Sequence, residues 1–366
     1  MSTDPLLKIE DLRTYFYSRS KQAFIRSVDG VSVEIARGET LGVVGESGSG
    51  KSITALSVMG LVSAGPGVIR GEISFKSNGK RHDLLKDLSS YVKIIRKNDR
   101  IMSVQKDIVG WGKNVDRVMK TIRGKEIAMI FQNPKSSLNP FTSVGNQITE
   151  AIQLHTCSKS ESDAKERALY WFDRVKIDSP RLRFDNFPYG LSGGMCQRAM
   201  IAMALACEPS LLIADEPTTG LDATIQSKIV DLLAELKSEF GITTMLISHD
   251  ISMISRLSDC VAVMYGGTVV EYGPVRNILA SDFISKHPYT QALLASIPSE
   301  QNITEHGYLR AIEGDVLDTI NTPLGCRFYG RCTRVTDIIR EKCKFKEPDL
   351  REIAPRHQVR CWLYYD

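Results

Sequence analysis

The chain opens with short apolar blocks that alternate with polar residues or run unbroken, and each is closed by glycine. "LLKIEDLRTYFY" at 6–17 and "SVDGVSVEIARGETLGVVG" at 27–45 have this form, which predicts strands. A helix is predicted directly after the second block, over "SITALSVMGL". "GEISF" at 71–75 is a further strand, after which the text turns polar and basic until "EIAMIFQ" at 126–132. From about 140 to 205 the apolar residues shift to helical spacing, as in "DAKERALYWFDRV" and "GGMCQRAMIAMALA", and predict an inserted helical subdomain. "SLLIADEP", "TTMLISHD" and "CVAVMYGG" are short apolar runs separated by helical patterns. Uninterrupted runs of this kind belong to a parallel sheet covered on both faces, so the expected fold is α/β with an N-terminal antiparallel β element. "VRNILAS" and "KHPYTQALLAS" predict two more helices. Beyond Ile297 the chain is loop-rich and is expected to form a separate small module.

Length and charge change this picture little. The 366 residues allow two or three domains, and 47 Lys and Arg against 43 Asp and Glu give no reason to expect nucleic acid as a partner. No basic start followed by an apolar run marks a secretory signal, and the longest apolar region, broken by Glu208 and Pro209, falls short of the roughly 20 residues that span a bilayer. Any membrane role therefore needs a partner. Cysteine is more informative. Cys157, Cys196, Cys207 and Cys260 are scattered through apolar or helical surroundings and are expected to be small buried hydrophobes. Cys326, Cys332, Cys343 and Cys361 crowd into the tail.

Chemistry concentrates where the predicted strands end. Gly45, Gly50, Lys51 and Ser52 in "GESGSGKS" match G-x-x-x-x-G-K-[ST], between a strand and a helix. Glycines let successive N–H groups face phosphate oxygens, the lysine reaches the outer phosphates, and the hydroxyl can ligate Mg2+. "LLIADEP" ends a buried strand in two carboxylates, Asp215 and Glu216. At the carboxyl end of an open α/β sheet, Asp215 can hold Mg2+ and Glu216 can orient or deprotonate a water. "LISHD" repeats the pattern with His249, and Gln132 in "IFQNP" offers an amide to metal or water. "YGLSGGMCQR" puts Ser192, Gly193 and Gly194 at a helix entrance, a second place where backbone N–H groups attract an anion.

In this order the phosphate loop, "IFQNP", "LSGGMCQR", "LLIADEPTTGLD" and "LISHD" resemble the nucleotide-binding subunits of ABC transporters, over residues 6–275. The resemblance implies a P-loop NTPase of the ABC fold whose domain covers 1–275, followed by a tail region at 276–366. It implies ATP bound by Gly45, Glu46, Ser47, Gly48, Ser49, Gly50, Lys51, Ser52 and Ile53, and Mg2+ held by Ser52, Gln132 and Asp215. Glu216 becomes the catalytic base, with His249, Lys51 and Gln132 as the other catalytic groups. Phe16 is the aromatic expected on adenine, with Tyr15 and Tyr17 as rivals. Ser192, Gly193, Gly194 and Gln197 would touch an ATP held by a second subunit, and Asp222 would contact that partner. Cys196 departs from the pattern, since the nearest relatives have arginine there. So does the stretch from about 77 to 123, some two dozen residues longer than usual; it is expected either to be a solvated extension or to touch a partner.

The tail narrows the resemblance. "KHPYTQALLASIP", "PLGCRFYGRC", "KCKFKEPDL" and "RHQVRC" are similar to the C-terminal region of dipeptide and oligopeptide importer ATPases. The C-x5-C-x10-C-x17-C spacing suits neither a zinc finger nor the tight ferredoxin motif. The resemblance implies a [4Fe-4S] cluster on Cys326, Cys332, Cys343 and Cys361, with zinc or unligated cysteines as alternatives. It further implies a subunit on the cytoplasmic face of a membrane, paired with itself or a related ATPase, joined to permease subunits and served by an external solute-binding protein. Peptides are the expected cargo. Nickel or another small solute, or a non-transport role on nucleic acid, are the alternatives.

Overall fold

The computed structural model describes residues 4–77, 79–97, 100–155, 158, 160–280, 286–297 and 311–365. Cys157 lies outside them. The first two strands, β1 (Leu7–Ser18) and β2 (Ala23–Ile35), pair antiparallel and precede β3 (Thr40–Val44), which leads into the phosphate loop and the helix Lys51–Val58. β4 (Pro66–Ser77) and β5 (Lys80–Asp83) complete a four-stranded antiparallel sheet in the order β2-β1-β4-β5. β6 (Val92–Lys97) and β7 (Arg100–Lys106) form a separate hairpin. The remaining strands are β8 (Ile127–Ile130), β9 (Leu211–Asp215), β10 (Thr243–Ile247), β11 (Cys260–Tyr265), β12 (Thr268–Pro274), β13 (Arg351–Ala354) and β14 (His357–Val359). With β3 they build an eight-stranded sheet in the order β13-β14-β12-β11-β3-β10-β9-β8.

The five strands β11, β3, β10, β9 and β8 are parallel neighbours. Successive side chains of a strand point to opposite faces, and here both faces are covered. Val44, Ala128, Ile130, Leu212 and Ala214 enter one core, shared with the helical subdomain through Trp171, Phe172 and Phe184. Their neighbours Val43, Ile127, Met129, Leu211 and Ile213 enter the other, shared with the antiparallel sheet and the helix Lys51–Val58. The helices Val144–His155, Glu161–Arg174, Pro180–Phe184 and Gly193–Leu205 occupy the interval that helical spacing marked.

Two segments differ from expectation. The stretch from 77 to 123 is not simply solvated. Its helix Ile108–Met119 is capped by Asp107, whose side chain accepts from the Gly110 N–H at 2.9 Å, and it buries Trp111, Val115 and Met119. Spacing of four residues puts these on one stripe, which packs into the same core as β1 and β4. The tail does not stand apart either. β14 pairs with β12, placing Val359 opposite Glu271, and the fully buried His357 meets Glu271 Oε1 through Nε2 at 2.8 Å.

Candidate functional site

Parallel register brings the candidate residues to one edge. Ile247 on β10 faces both Val43 on β3 and Asp215 on β9, and Ala214 faces Ile130 on β8. The residues just beyond these strands, Gly45 to Ser52, His249, Glu216 and Gln132, therefore emerge together at the carboxyl ends, where open α/β sheets bind ligands.

Glycine is obligatory at two points of the phosphate loop. Gly45 has φ +151 and Gly50 has φ +100; a Cβ at the first would overlap the Met264 carbonyl oxygen and at the second that of Ser27. Gly50 is followed at once by the helix Lys51–Val58, whose first N–H groups face the loop. Lys51 is buried, with Nζ donating to the carbonyls of Gly45 (2.8 Å) and Glu46 (3.0 Å). Burial lowers its pKa, an effect that Glu216, Asp215 and Glu46 oppose. Ser47 and Gly48 are exposed, Ser52 and Ile53 half-buried, and the Ser49 hydroxyl is buried without a hydrogen-bond partner.

The two adjacent carboxyls are shifted in opposite directions. Asp215 accepts from the Ser52 hydroxyl at 3.0 Å, and burial together with the neighbouring Glu216 raises it above the ordinary carboxylate range. Burial alone would also raise Glu216, but the Thr219 hydroxyl at 2.8 Å and His249 outweigh it and leave this carboxyl below its usual range. Gln132 Nε2 donates to Glu216 Oε2 at 2.9 Å, and His249 Nδ1 lies 3.4 Å from Oε1. Glu216 itself has φ +47, so its backbone is strained to present the carboxylate to this ring of polar groups. Ser52, Asp215 and Gln132 supply hydroxyl, carboxylate and amide oxygens, the hard donors that suit Mg2+.

The second anion-binding loop lies elsewhere. Ser192 caps the helix Gly193–Leu205 by accepting from the Met195 N–H at 3.3 Å, and is exposed. Gly194 leaves room for Ile225, and Asp222 is the exposed cap of the helix Ala223–Phe240 that carries Ile225. Among the described residues no hydrogen bond or ion pair joins Ser192, Gly193 or Gly194 to the phosphate loop. Gln197 is 1% exposed and its Nε2 has no hydrogen-bond partner, so it lies within the fold beneath the helix entrance. Cys196 is fully buried and donates to the Pro188 carbonyl, while Cys207 and Cys260 also find oxygen acceptors. Of the three aromatics on β1, Tyr15 is buried with its hydroxyl on Asp29, Phe16 is half-buried and Tyr17 is 46% exposed. That removes Tyr15 from the candidates for stacking on a base.

In the tail Cys326, Cys332, Cys343 and Cys361 line one enclosed cavity, together with His287, Phe328 and Trp362. All four are free, and the Cys326 N–H donates to the Cys343 carbonyl at 2.7 Å. Burial pushes the Cys326 and Cys361 thiols up to about 12, and the neighbouring thiols add to the shift. The expected metal centre is not preformed, however: among the described residues no three His, Cys, Asp or Glu side chains converge closely enough to hold a metal ion. A tetrahedral zinc site with ligands about 2.3 Å from the metal would require such convergence.

Comparison with known proteins agrees with this layout. The model of the family described as "ABC transporter" matches residues 28–219, from β2 to just beyond Glu216. The chain belongs to the ABC transporter family. A second family, "Oligopeptide/dipeptide transporter, C-terminal region", matches residues 270–338. The oligopeptide transport ATP-binding protein AppD of Bacillus subtilis is 41% identical over 365 residues, covering 100% of this chain and 98% of the relative. The dipeptide transport ATP-binding protein DppD of Escherichia coli is 39% identical over 356 residues, covering 97% and 96%. Among solved structures, the Clostridium perfringens cbiO1 subunit of an ABC transporter complex is 26% identical with TM-score 0.54, covering 77% of this chain and 93% of its own. A dimeric bacterial ABC transporter cassette is 26% identical with TM-score 0.55, covering 74% and 99%. This ABC transporter chain is thus an ATP-hydrolysing subunit of mixed α/β fold, and none of its described helices is long and apolar enough to cross a membrane. Thr219 was missed as a site residue by sequence reasoning, although it lies three residues after Glu216 in "DEPTTG".

Proposed function

We propose that this chain powers the import of peptides through a membrane permease, binding and hydrolysing ATP at the carboxyl edge of its parallel sheet. The observation that carries the reading is the convergence of four strand ends, with Lys51, Ser52, Gln132, Asp215, Glu216 and His249, in a chain whose tail matches the oligopeptide/dipeptide transporter region. Residues 1–275 form the nucleotide-binding domain and 276–366 the importer-type tail. The loop from Gly45 to Ile53 takes the phosphates, and Phe16 or Tyr17 takes the base.

Glu216 accepts the proton of the attacking water. Its depressed carboxyl is ionised near neutrality, as a base must be, and Gln132, Thr219 and His249 fix its orientation. Lys51 lies where it can balance charge on the outer phosphates. Ser52, Asp215 and Gln132 would hold Mg2+, which when bound neutralises phosphate charge. The helix entrance at Ser192, Gly193 and Gly194, exposed at Ser192 and with Gln197 behind it, serves the ATP of a second subunit, and Asp222 touches that subunit. Closure of the pair moves the permease at the cytoplasmic face, and an external binding protein delivers the peptide.

In the tail Cys326, Cys332, Cys343 and Cys361 would hold a [4Fe-4S] cluster. What supports this reading is that all four cysteines are free and line one cavity. Such a centre would also offset the cost of ionising thiols whose pKa burial has raised. Glu216→Gln tests the central claim. The variant should bind ATP with unaltered affinity and hydrolyse it about 10²- to 10⁴-fold more slowly in steady-state phosphate release; turnover near the wild-type rate removes Glu216 from its role.

A further inference from the structure

Glu46, the second residue of the phosphate loop, is held at both its backbone and its side chain by the tail. Its N–H donates to the Tyr289 hydroxyl at 2.8 Å. Its carboxylate receives Arg331 in bidentate fashion, Nη1 to Oε2 at 2.8 Å and Nη2 to Oε1 at 3.1 Å. Neither partner is a loose surface group: Tyr289 is fully buried and the Arg331 side chain is 6% exposed. Arg331 is fixed in turn by the carbonyls of Glu313 and Ile312 and lies over the Tyr265 and Phe328 rings. The Tyr265 ring packs on Tyr289 with centroids 4.6 Å apart and meets Phe328 edge-on. The cysteine cavity begins at the next residue, because Arg331 precedes Cys332 and Phe328 lines that cavity.

We propose that Arg331 and Tyr289 are positioning residues for the nucleotide reaction: they hold Glu46 so that the phosphate loop is ordered before ATP arrives, and through them the cysteine module sets ATP affinity. A loop containing Gly45, Gly48 and Gly50, all at positive φ, has conformational freedom to lose on binding. Contacts that remove that freedom in advance strengthen binding without touching the ligand. The planar guanidinium matters, because two parallel N–H donors fix the carboxylate in direction as well as in distance, and a lysine ammonium cannot. A contact that only organises the loop alters occupancy rather than chemistry, so it acts on KM and leaves kcat.

The inference rests on the reading of this loop as the ATP site, and one experiment separates the two. Binding of a fluorescent ATP analogue with Mg2+ and steady-state ATPase kinetics are measured on the full chain for wild type, Arg331→Gln, Arg331→Lys, Glu46→Gln and the double variant Glu46→Gln/Arg331→Gln. Iron content and thermal midpoint are recorded for each. Arg331→Gln should weaken binding about tenfold and raise KM equally with kcat within about twofold, the loss expected for a charge-assisted bidentate contact. Arg331→Lys should recover only part of this. The double variant should be no worse than the poorer single one, since both remove the same contact. Wild-type affinity in Arg331→Gln, or losses that add in full, would overturn the proposal. Should Arg331→Gln fail to fold, Tyr289→Phe keeps the ring and removes the hydroxyl; a several-fold weaker affinity supports the proposal, and unchanged affinity overturns it. A wild-type chain that binds no ATP defeats the function reading itself, whereas normal wild-type binding with unaltered variants defeats only the inference.

Discussion

Arg327 offers a quantitative test of how the tail is fastened to the catalytic unit. It donates through Nη2 to Asp29 Oδ2 at 2.9 Å, through Nη1 to the Gly266 carbonyl at 2.5 Å and through Nε to Glu347 at 3.1 Å. The Arg327 and Asp29 side chains are only 6% and 4% exposed. Replacing arginine by methionine keeps most of the volume and leaves Asp29 buried without one of its two guanidinium partners. Breaking a buried pair in this way costs about 3–5 kcal/mol, and the low end applies because Asp29 retains Arg13 and the Tyr15 hydroxyl. At about 2–4 °C per kcal/mol for a chain longer than 150 residues, Arg327→Met should lower the melting midpoint by about 6–12 °C at neutral pH. The sign of the pH dependence follows from Asp29. Burial would raise its pKa, but Arg327, Tyr15 and Arg13 together hold it below the ordinary value. A depressed carboxyl contributes stability above the unfolded pKa of about 4 and loses it as pH falls through the folded value. Calorimetry from pH 7.5 downward should therefore show the gap between wild type and variant narrowing towards acid. Asp29→Asn/Arg327→Met, which removes the orphaned charge, should recover about half the loss at neutral pH. A gap that does not change with pH, with no recovery in the double variant, would refute the electrostatic account and leave packing as the cause.

Two further outcomes test the remaining parts. Gly50→Ala forces a Cβ into the Ser27 carbonyl at φ +100 and should weaken ATP binding about 5- to 150-fold in equilibrium titration, given a strain of about 1–3 kcal/mol; normal affinity would show that the loop can deform freely. The proposed cluster predicts a brown, iron-containing protein on anaerobic purification, with Cys343→Ser losing the colour and most of the iron and melting at a lower temperature. Unchanged iron content and melting would remove the cluster from that cavity.

The parallel strands were legible because strands buried on both faces appear as unbroken apolar runs, and the change to Asp215 or His249 marks where each run meets the ligand edge. Other features were hidden for identifiable reasons. Trp111, Val115 and Met119 form a helical stripe, but the lysines and arginines around them masked it. Alternation along β1 would give Tyr15 and Tyr17 one environment. The irregular register between Thr14 and Phe16 breaks that alternation, leaving Tyr15 buried and Tyr17 exposed. Motif membership placed Gln197 at a ligand, yet the helix that starts at Gly193 turns this side chain into the fold. The contacts of the tail had no local signal at all, since Arg327 and Asp29 are 298 positions apart and Arg331 and Glu46 are 285 apart.

Those separations bear on how the polypeptide matures during synthesis. Translation proceeds from the N-terminus, so the phosphate loop leaves the ribosome long before the arginine that braces it. Until residues 357–359 arrive to pair with β12, that strand presents an open edge, and open edges invite association with other chains. Ribosome stalling between the end of β12 and Arg327 would therefore release a product with a nearly finished catalytic half, an aspartate short of one of its two arginines and an adhesive strand. Such a product is a ready substrate for proteolysis and a poor competitor for a place in an assembly.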